Sequence, residues 1–309
     1  MIAVQKVSHA PEVRNKIRTP ASFIVFNLFG KVLVGLIALT CVLPFIMLIS
    51  ASFTSERYIA LNGYGLWPGA FSLRAYETLF KNPVDIFRAY GVTLFVTITG
   101  TLLGLTLISM TAYVISRQDL KYRNHISFFF YFTTLFNGGI ISTYIFFIRY
   151  LGLKNNLAAL ILPLLFNVFY LLIMRSFMAS VPTSIVESAK IDGAGELRIF
   201  VQLVLPLTTS GLAAIGLFIA LDYWNDWYNA MLYISKRENY PLQYMLYNIV
   251  STAQALSRIS SISSVALAEL PSNSLRMAMA VVATGPIILV YPFVQKYFVK
   301  GITIGAVKG

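Results

Sequence analysis

Apolar residues occur in blocks about 20 long, and polar residues collect between them. A helix needs about 17–25 such residues to cross about 30 Å of hydrocarbon. Six blocks meet that length: residues 32–52, 91–115, 126–148, 158–174, 206–228 and 277–298. The third carries the aromatic run Phe128-Phe129-Phe130-Tyr131-Phe132, read as lipid-facing or core packing. The sixth contains Gly285-Pro286, which predicts a kink, because proline removes a helical hydrogen bond. The pattern predicts an all-α integral membrane protein with six transmembrane helices. Two connections on one side are long, residues 54–90 and 229–276, and loops of that length are seldom idle.

Composition agrees with the pattern. Hydrophobic residues make up 57% of the chain and charged residues 12%, against about 25% charged in soluble domains. Mean hydropathy is +0.72. These values exclude a disordered chain and argue against a soluble enzyme. The net charge is +12, from 24 Lys and Arg against 12 Asp and Glu. In an apolar chain that excess points to cationic loops held on the cytoplasmic face, not to nucleic acid.

Lys6, Arg14, Lys16, Arg18 and Lys31 precede the first block, Arg117, Lys121 and Arg123 follow the second, and Lys296, Lys300 and Lys308 lie near the end. With six spans all three groups share one side, so both termini are expected in the cytoplasm. The expected division is a cytoplasmic segment 1–31 with an amphipathic lead-in at 23–29, a membrane domain 32–298, and a cytoplasmic tail 299–309. The first block starts too late and runs too long for a cleaved signal peptide and reads as a signal anchor. Cys41 is the only cysteine, which excludes an intrachain disulfide, and it reads as a small packing residue.

The most informative connection joins the fourth and fifth blocks, over residues 175–206. Pro182 sets a helix start that Thr183 or Ser184 can cap. Ile185, Val186, Ala189 and Ile191 supply an apolar face, and Asp192-Gly193-Ala194-Gly195 breaks the helix. A second short helix follows from Glu196 with Leu197, Ile199, Phe200 and Leu203, and Pro206 marks the start of the next span. Two short helices of this kind cannot bury both faces alone and are suited to docking.

Glu187-Ser188-Ala189, then three residues, Gly193, nine residues, Leu203, one residue and Leu205-Pro206 resemble the EAA loop of the membrane subunits of binding-protein-dependent ABC importers. Ser188 and Leu203 stand where the commonest form has alanine and isoleucine. Arg175-Ser176-Phe177, Val181-Pro182, Trp224-Asn225 and the tail Gln295 to Gly301 resemble the carbohydrate branch of the same family. Within it the chain is similar to oligosaccharide permeases of Gram-positive bacteria, of the maltose-importer class. The resemblance implies a bacterial cell-membrane permease that forms half of a sugar pathway. Its implied partners are a cytoplasmic ABC ATPase dimer, a second homologous permease, an external solute-binding protein, an oligosaccharide and the lipid bilayer. ATP and Mg²⁺ would bind in the ATPase, with no cofactor in this chain. Glu187, Ser188, Ala189, Asp192, Gly193, Leu203 and Pro206 would couple the permease to that ATPase, Glu187 by pairing with a basic group.

The chain has no G-x-x-x-x-G-K-[ST] loop to cradle phosphate. His9 and His125 are its only histidines and lie apart, so no catalytic or metal constellation is visible. Asp222, Tyr223, Trp224, Asn225, Asp226, Trp227, Tyr228 and Asn229 form a dense polar-aromatic stretch. Ionised groups in a membrane usually face a wet cavity or a partner. Sugars offer C–H faces to aromatic rings and hydroxyls to amides and carboxylates. Asp222, Trp224, Asn225, Tyr228 and Asn229 are therefore the candidate pathway residues, although Trp and Tyr also belt any membrane protein. The alternatives are a secondary transporter of a small polar solute, which would lack the docking loop, and a membrane scaffold or sensor.

Overall fold

The computed structural model describes residues 21–260 and 273–288. Among these residues every regular element is helical, and the one β feature is an isolated bridge between Thr54 and Phe71. The chain divides into two units, Met1–Met47 and Leu48–Gly309. Within the described residues the first unit is the body of α1 (Ala21–Ser52). Phe23, Phe26 and Phe29 are exposed alongside Val34, Leu39 and Phe45. The expected amphipathic lead-in at 23–29 is instead an apolar start of this same helix, because Asn27 is its only polar side chain.

The second unit opens with α2 (Glu56–Asn62) and α3 (Arg74–Leu79), so the long first loop is largely helical. The next helix, α4 (Pro83–Ser116), begins at a proline whose missing N–H is no loss in a first turn. It starts before the expected residue 91, because its first turns carry Asp85 and Arg88, which a hydropathy reading excludes.

The third block is not one straight helix. The first piece, α5 (Arg123–Leu135), ends before Gly138-Gly139, and α6 (Gly139–Ile145), extended by a π turn Phe146–Tyr150, leaves at 107°. Gly139 has φ +81°, which glycine adopts freely. The fourth block bends by 56° between α7 (Ala158–Ile161), prolonged by the 3₁₀ turn Leu162–Leu164, and α8 (Val168–Ala179). Asn167 restarts the helix by accepting from the Phe169 N–H at 2.9 Å. Because α8 runs on to Ala179, the informative connection begins after it, not at 175.

That connection contains α9 (Thr183–Ile191), α10 (Glu196–Ile199), a π turn Phe200–Val204 and α11 (Leu205–Leu207). The run Glu196–Leu207 then meets α12 (Thr209–Asn225) at 85°. Helix α12 therefore starts at Thr209, and Pro206 lies within the preceding turn. Proline withholds the N–H that Gln202 would receive, and the widened π turn sits just ahead of it. Beyond α12 come α13 (Tyr228–Tyr233), the 3₁₀ turn Arg237–Asn239 and α14 (Leu242–Ser260), followed by the last described helix, at 273–288. The rest of the sixth block, 289–298, lies outside the described residues, as do 1–20 and the tail 299–309. Val25–Ser52 and Pro83–Ser116 are each long and apolar enough to cross a membrane, and the three bent pairs raise the total to as many as five among the described residues.

Ile108 of α4 packs in one core with Leu171 and Met174 of α8 and Ile215 and Ile219 of α12, all fully or nearly fully buried. Gly100 and Gly104 let these elements approach. A Cβ on Gly100 would strike the Tyr223 ring, and one on Gly104 would lie 2.9 Å from the Leu165 carbonyl oxygen. Small residues at this spacing permit such contact. The Tyr223 hydroxyl donates to the Ile161 carbonyl at 2.8 Å. A second core, toward the Pro83 end of α4, joins Ile86, Ala89, Trp224, Leu242, Met279 and Ala283. Glu56 fastens the last helix beside it. Its carboxylate accepts from the N–H groups of Asn273 and Ser274 and from both their side chains, at 2.8–3.1 Å. These are donors that a helix start leaves free, and negative charge is favoured there.

Candidate functional site

Helix α9 ends by a specific mechanism. Gly193 has φ +79°, its N–H donates to the Lys190 carbonyl, and the Ala194 N–H donates to the Ala189 carbonyl, each at 3.0 Å. This pair of bonds is a Schellman closure, which needs a left-handed residue at Gly193. The expected caps at the other end are not made: Pro182 occupies the N-cap position, with no side-chain cap bond. Ala189 is buried in the main core, with Leu203 packed partly against it. Ser184, Glu187, Ser188 and Ile191, at helical spacing, are all exposed. Ile191 is 87% exposed, and Leu197 on α10 is 68% exposed. Ile191 therefore belongs to the outward face, not the buried one. Asp192 and Pro206 are also exposed.

An ionic network ties both short helices to the turn after α4. Lys190 Nζ lies 2.8 Å from Glu196 Oε1 and 3.0 Å from Asp119 Oδ2. The Arg117 guanidinium grips Asp119 through two N–H groups, at 3.0 and 2.6 Å, and the Tyr113 hydroxyl donates to Glu196 at 2.6 Å. Hydrogen bonds from Arg117, then Lys190, hold the Asp119 carboxyl well below the usual carboxylate range. Those from Lys190, then Tyr113, lower Glu196. Depressed carboxylates give stability that is present at neutral pH and lost as pH falls through their folded values. Lys190→Met should therefore lower the thermal midpoint of the detergent-purified protein at pH 7, by a modest amount because exposed pairs are each worth about 0–1 kcal/mol. At pH 3 the gap to wild type should narrow. A gap as wide at pH 3 as at pH 7 would show that Lys190 acts by packing. Behind the network lies a cavity of 490 Å³, lined among others by Arg123, Arg175, Thr183, Val186, Glu187 and Lys190.

The far end of α12 carries a different surface. Phe218, Asp222 and Asn225 share one exposed face. The Tyr170 ring of α8 stacks on Phe218, with centroids 6.0 Å apart, and its hydroxyl donates to Asp222 at 2.8 Å. Gln243 Nε2 donates to Asn225 Oδ1 at 3.4 Å. The structure thus brings Asp222 and Asn225 together and adds Tyr170, Phe218 and Gln243. It places the other candidates elsewhere. Trp224 is buried and donates through Nε1 to the Ala283 carbonyl at 3.1 Å. Asn229 is buried and held by Asp226, whose carboxylate accepts from the Asn229 side chain and from the Tyr228 and Asn229 N–H groups. Tyr228 is exposed, beyond the helix end.

No protein-family model matches the chain. Individual proteins do. The chain is 41% identical over 287 residues to the polygalacturonan/rhamnogalacturonan transport system permease protein YtcP of Bacillus subtilis, covering 92% of this chain and 99% of that one. It is 36% identical over 285 residues to Protein LplC of the same organism, covering 92% and 95%. The chain belongs to the permease family of ABC carbohydrate importers. A solved bacterial ABC transporter involved in the import of the acidic polysaccharide alginate contains a chain 28% identical to it, with a TM-score of 0.74 over 91% of this permease and 99% of that chain.

Several permease residues at the two surfaces escape a reading of the sequence. Asp119 carried one local signal, being the only acid among Arg117, Lys121 and Arg123. Phe218 is one helical turn before Asp222, so the stripe was visible in principle. Tyr170 and Gln243 reach it from distant parts of the chain, and no local pattern marks them.

Proposed function

We propose that this permease is one of two homologous transmembrane subunits of an ATP-driven importer of oligosaccharides. In this reading the chain crosses the cell membrane six times. The Ser116 end of α4 faces the cytoplasm with both termini, and the Pro83 end faces outward. At about 1.5 Å per residue α4 is about 50 Å long, ample for the hydrocarbon core. Helices α9 and α10 enter a cleft on a cytoplasmic ABC ATPase, where ATP and Mg²⁺ bind. Glu187 meets a basic group of the partner, Ser188 and Asp192 lie on the docking surface, and Ala189, Leu203 and Pro206 seat the loop on the membrane helices. An external binding protein delivers the sugar, and Asp222 and Asn225 line its path. Trp224, Tyr228 and Asn229 support that face from behind and beside it. No nucleic acid takes part.

The observation that carries this reading is the α9 face Ser184–Glu187–Ser188–Ile191, left open beside Gly193 in a member of this family. Its test is a cross-link. Ile191→Cys in a Cys41→Ser chain should join a P-loop ATPase that purifies with the permease, together with a second permease. A cysteine at 191 that reaches no ATPase in the assembled transporter overturns the docking role. The substrate is read from uptake of labelled neutral and acidic oligosaccharides. Asn225→Leu should lower that uptake at least tenfold with assembly unchanged, and unchanged uptake across the panel would remove Asn225 from the pathway.

A further inference from the structure

Proline at 286 creates a defect that the structure repairs from outside the helix. Pro286 has no N–H, so the Val282 carbonyl, four residues back, loses its helical donor. A buried carbonyl left without a donor is costly, and more so where water is excluded. Here the Tyr90 hydroxyl of α4 donates to that same carbonyl oxygen at 2.5 Å. The next carbonyl, of Ala283, accepts from Trp224 Nε1 of α12. Two donors from two helices therefore serve two consecutive carbonyls beside the proline. Both lie in the second core, where Met279 and Ala283 are fully buried.

The residue before the proline fits a joint. Residues preceding proline resist the helical conformation because their Cβ meets the ring, and Gly285 has no Cβ. A Cβ added at Gly285 would meet nothing within 4 Å, so neighbouring atoms do not demand a glycine. Its role is in the backbone.

We propose that Gly285-Pro286 is a hinge in the last helix, and that Tyr90 and Trp224 are positioning residues that latch it. The latch closes the last helix onto α4 and α12 and opens as the transporter changes state. Trp224 sits between Asp222 and Asn225 in sequence but points to the opposite side of α12. A sugar engaging the exposed face displaces the same helical turn that holds the latch. This role rests on the permease reading above, whereas the repair of the Val282 carbonyl does not.

The test is a double-mutant cycle on the complete transporter, with its partner permease, ATPase and binding protein, in liposomes. Two quantities are read: sugar imported per ATP hydrolysed, and the thermal midpoint of the same samples. Tyr90→Phe removes one oxygen and should lower the transport ratio at least fivefold. Pro286→Ala supplies a new N–H to the Val282 carbonyl, so in that background Tyr90→Phe should change the ratio less than twofold. Equal losses in both backgrounds, or no loss in either, overturn the latch. If Pro286→Ala does not assemble, Trp224→Phe takes its place. Two donors of one latch should not act additively, so adding Tyr90→Phe to it should cost less than a further twofold. A full multiplicative loss overturns the proposal. A wild-type transporter that imports nothing with ATP sinks the permease reading instead, and the midpoint cycle then still decides whether Tyr90 serves the orphaned carbonyl.

Discussion

Gly193→Leu should abolish ATP-driven uptake while the permease still inserts and assembles. The reason is backbone geometry, not crowding. A Cβ at this position would meet nothing within 4 Å, so a larger side chain has room. The left-handed conformation at φ +79° is the obstacle, since it costs an L-residue about 1–2 kcal/mol. A leucine escapes that cost by unwinding the Schellman closure, which frees the Ala189 and Lys190 carbonyls and lets α9 continue or fray. Either outcome redirects α10 and breaks the register between Lys190 and Glu196, which are 2.8 Å apart. Ala189 and Ile199 reach the main core from either side of this turn, but its body is built by α4, α8 and α12, so membrane insertion should survive. Gly193→Asn is the matched control, because asparagine tolerates the left-handed region and should keep most of the uptake. The measurement is uptake in energised vesicles, normalised to permease content. Wild-type uptake with Gly193→Leu would mean that the sharp turn is not needed for coupling.

What the sequence showed depended on whether the cause was local. The break at Gly193 is set by its own residue type, and so it was legible, with the spacing from Glu187 to Pro206. The helical character of the blocks was legible as well, as far as the described residues reach. Their bends were not, because a hydropathy window averages across a short polar break. Asn137-Gly138-Gly139 and Asn167 are each flanked by apolar residues, so the third and fourth blocks read as straight spans although they turn by 107° and 56°. The polar-aromatic stretch shows the same limit from another side. Trp224 and Asn225 are adjacent and both chemically suited to sugar, yet one is buried and the other exposed. The distinction comes from the Ala283 carbonyl, 59 residues away in sequence, which takes the indole N–H. Asn229 is likewise withdrawn by Asp226, through an Asx-type turn that a list of sugar-binding residue types passes over.

The largest loss of stability should come from Gly100→Val. Gly100 is buried on α4 against α12, and a Cβ there would strike the Tyr223 ring. The ring cannot step aside cheaply. It is buried, and its hydroxyl is fixed to the Ile161 carbonyl, so moving it strands a buried acceptor. Overpacking costs about 1–3 kcal/mol, and an unsatisfied buried carbonyl adds about 1–3 kcal/mol. The sum, about 2–6 kcal/mol, is a large share of the about 5–15 kcal/mol that holds a typical domain folded. The expected result is a permease that is degraded or aggregated in place of a single assembled peak on size exclusion. Gly91→Val provides the contrast on the same helix, since a Cβ there meets nothing within 4 Å, and it should behave as wild type. Tyr223→Ala in the Gly100→Val chain removes the colliding ring and should recover part of the assembled peak. A Gly100→Val permease with an unchanged peak and thermal midpoint would show that α4 and α12 are not held at this distance. The same contact positions Asp222 and Asn225, so the proposed pathway face would then lose its structural basis.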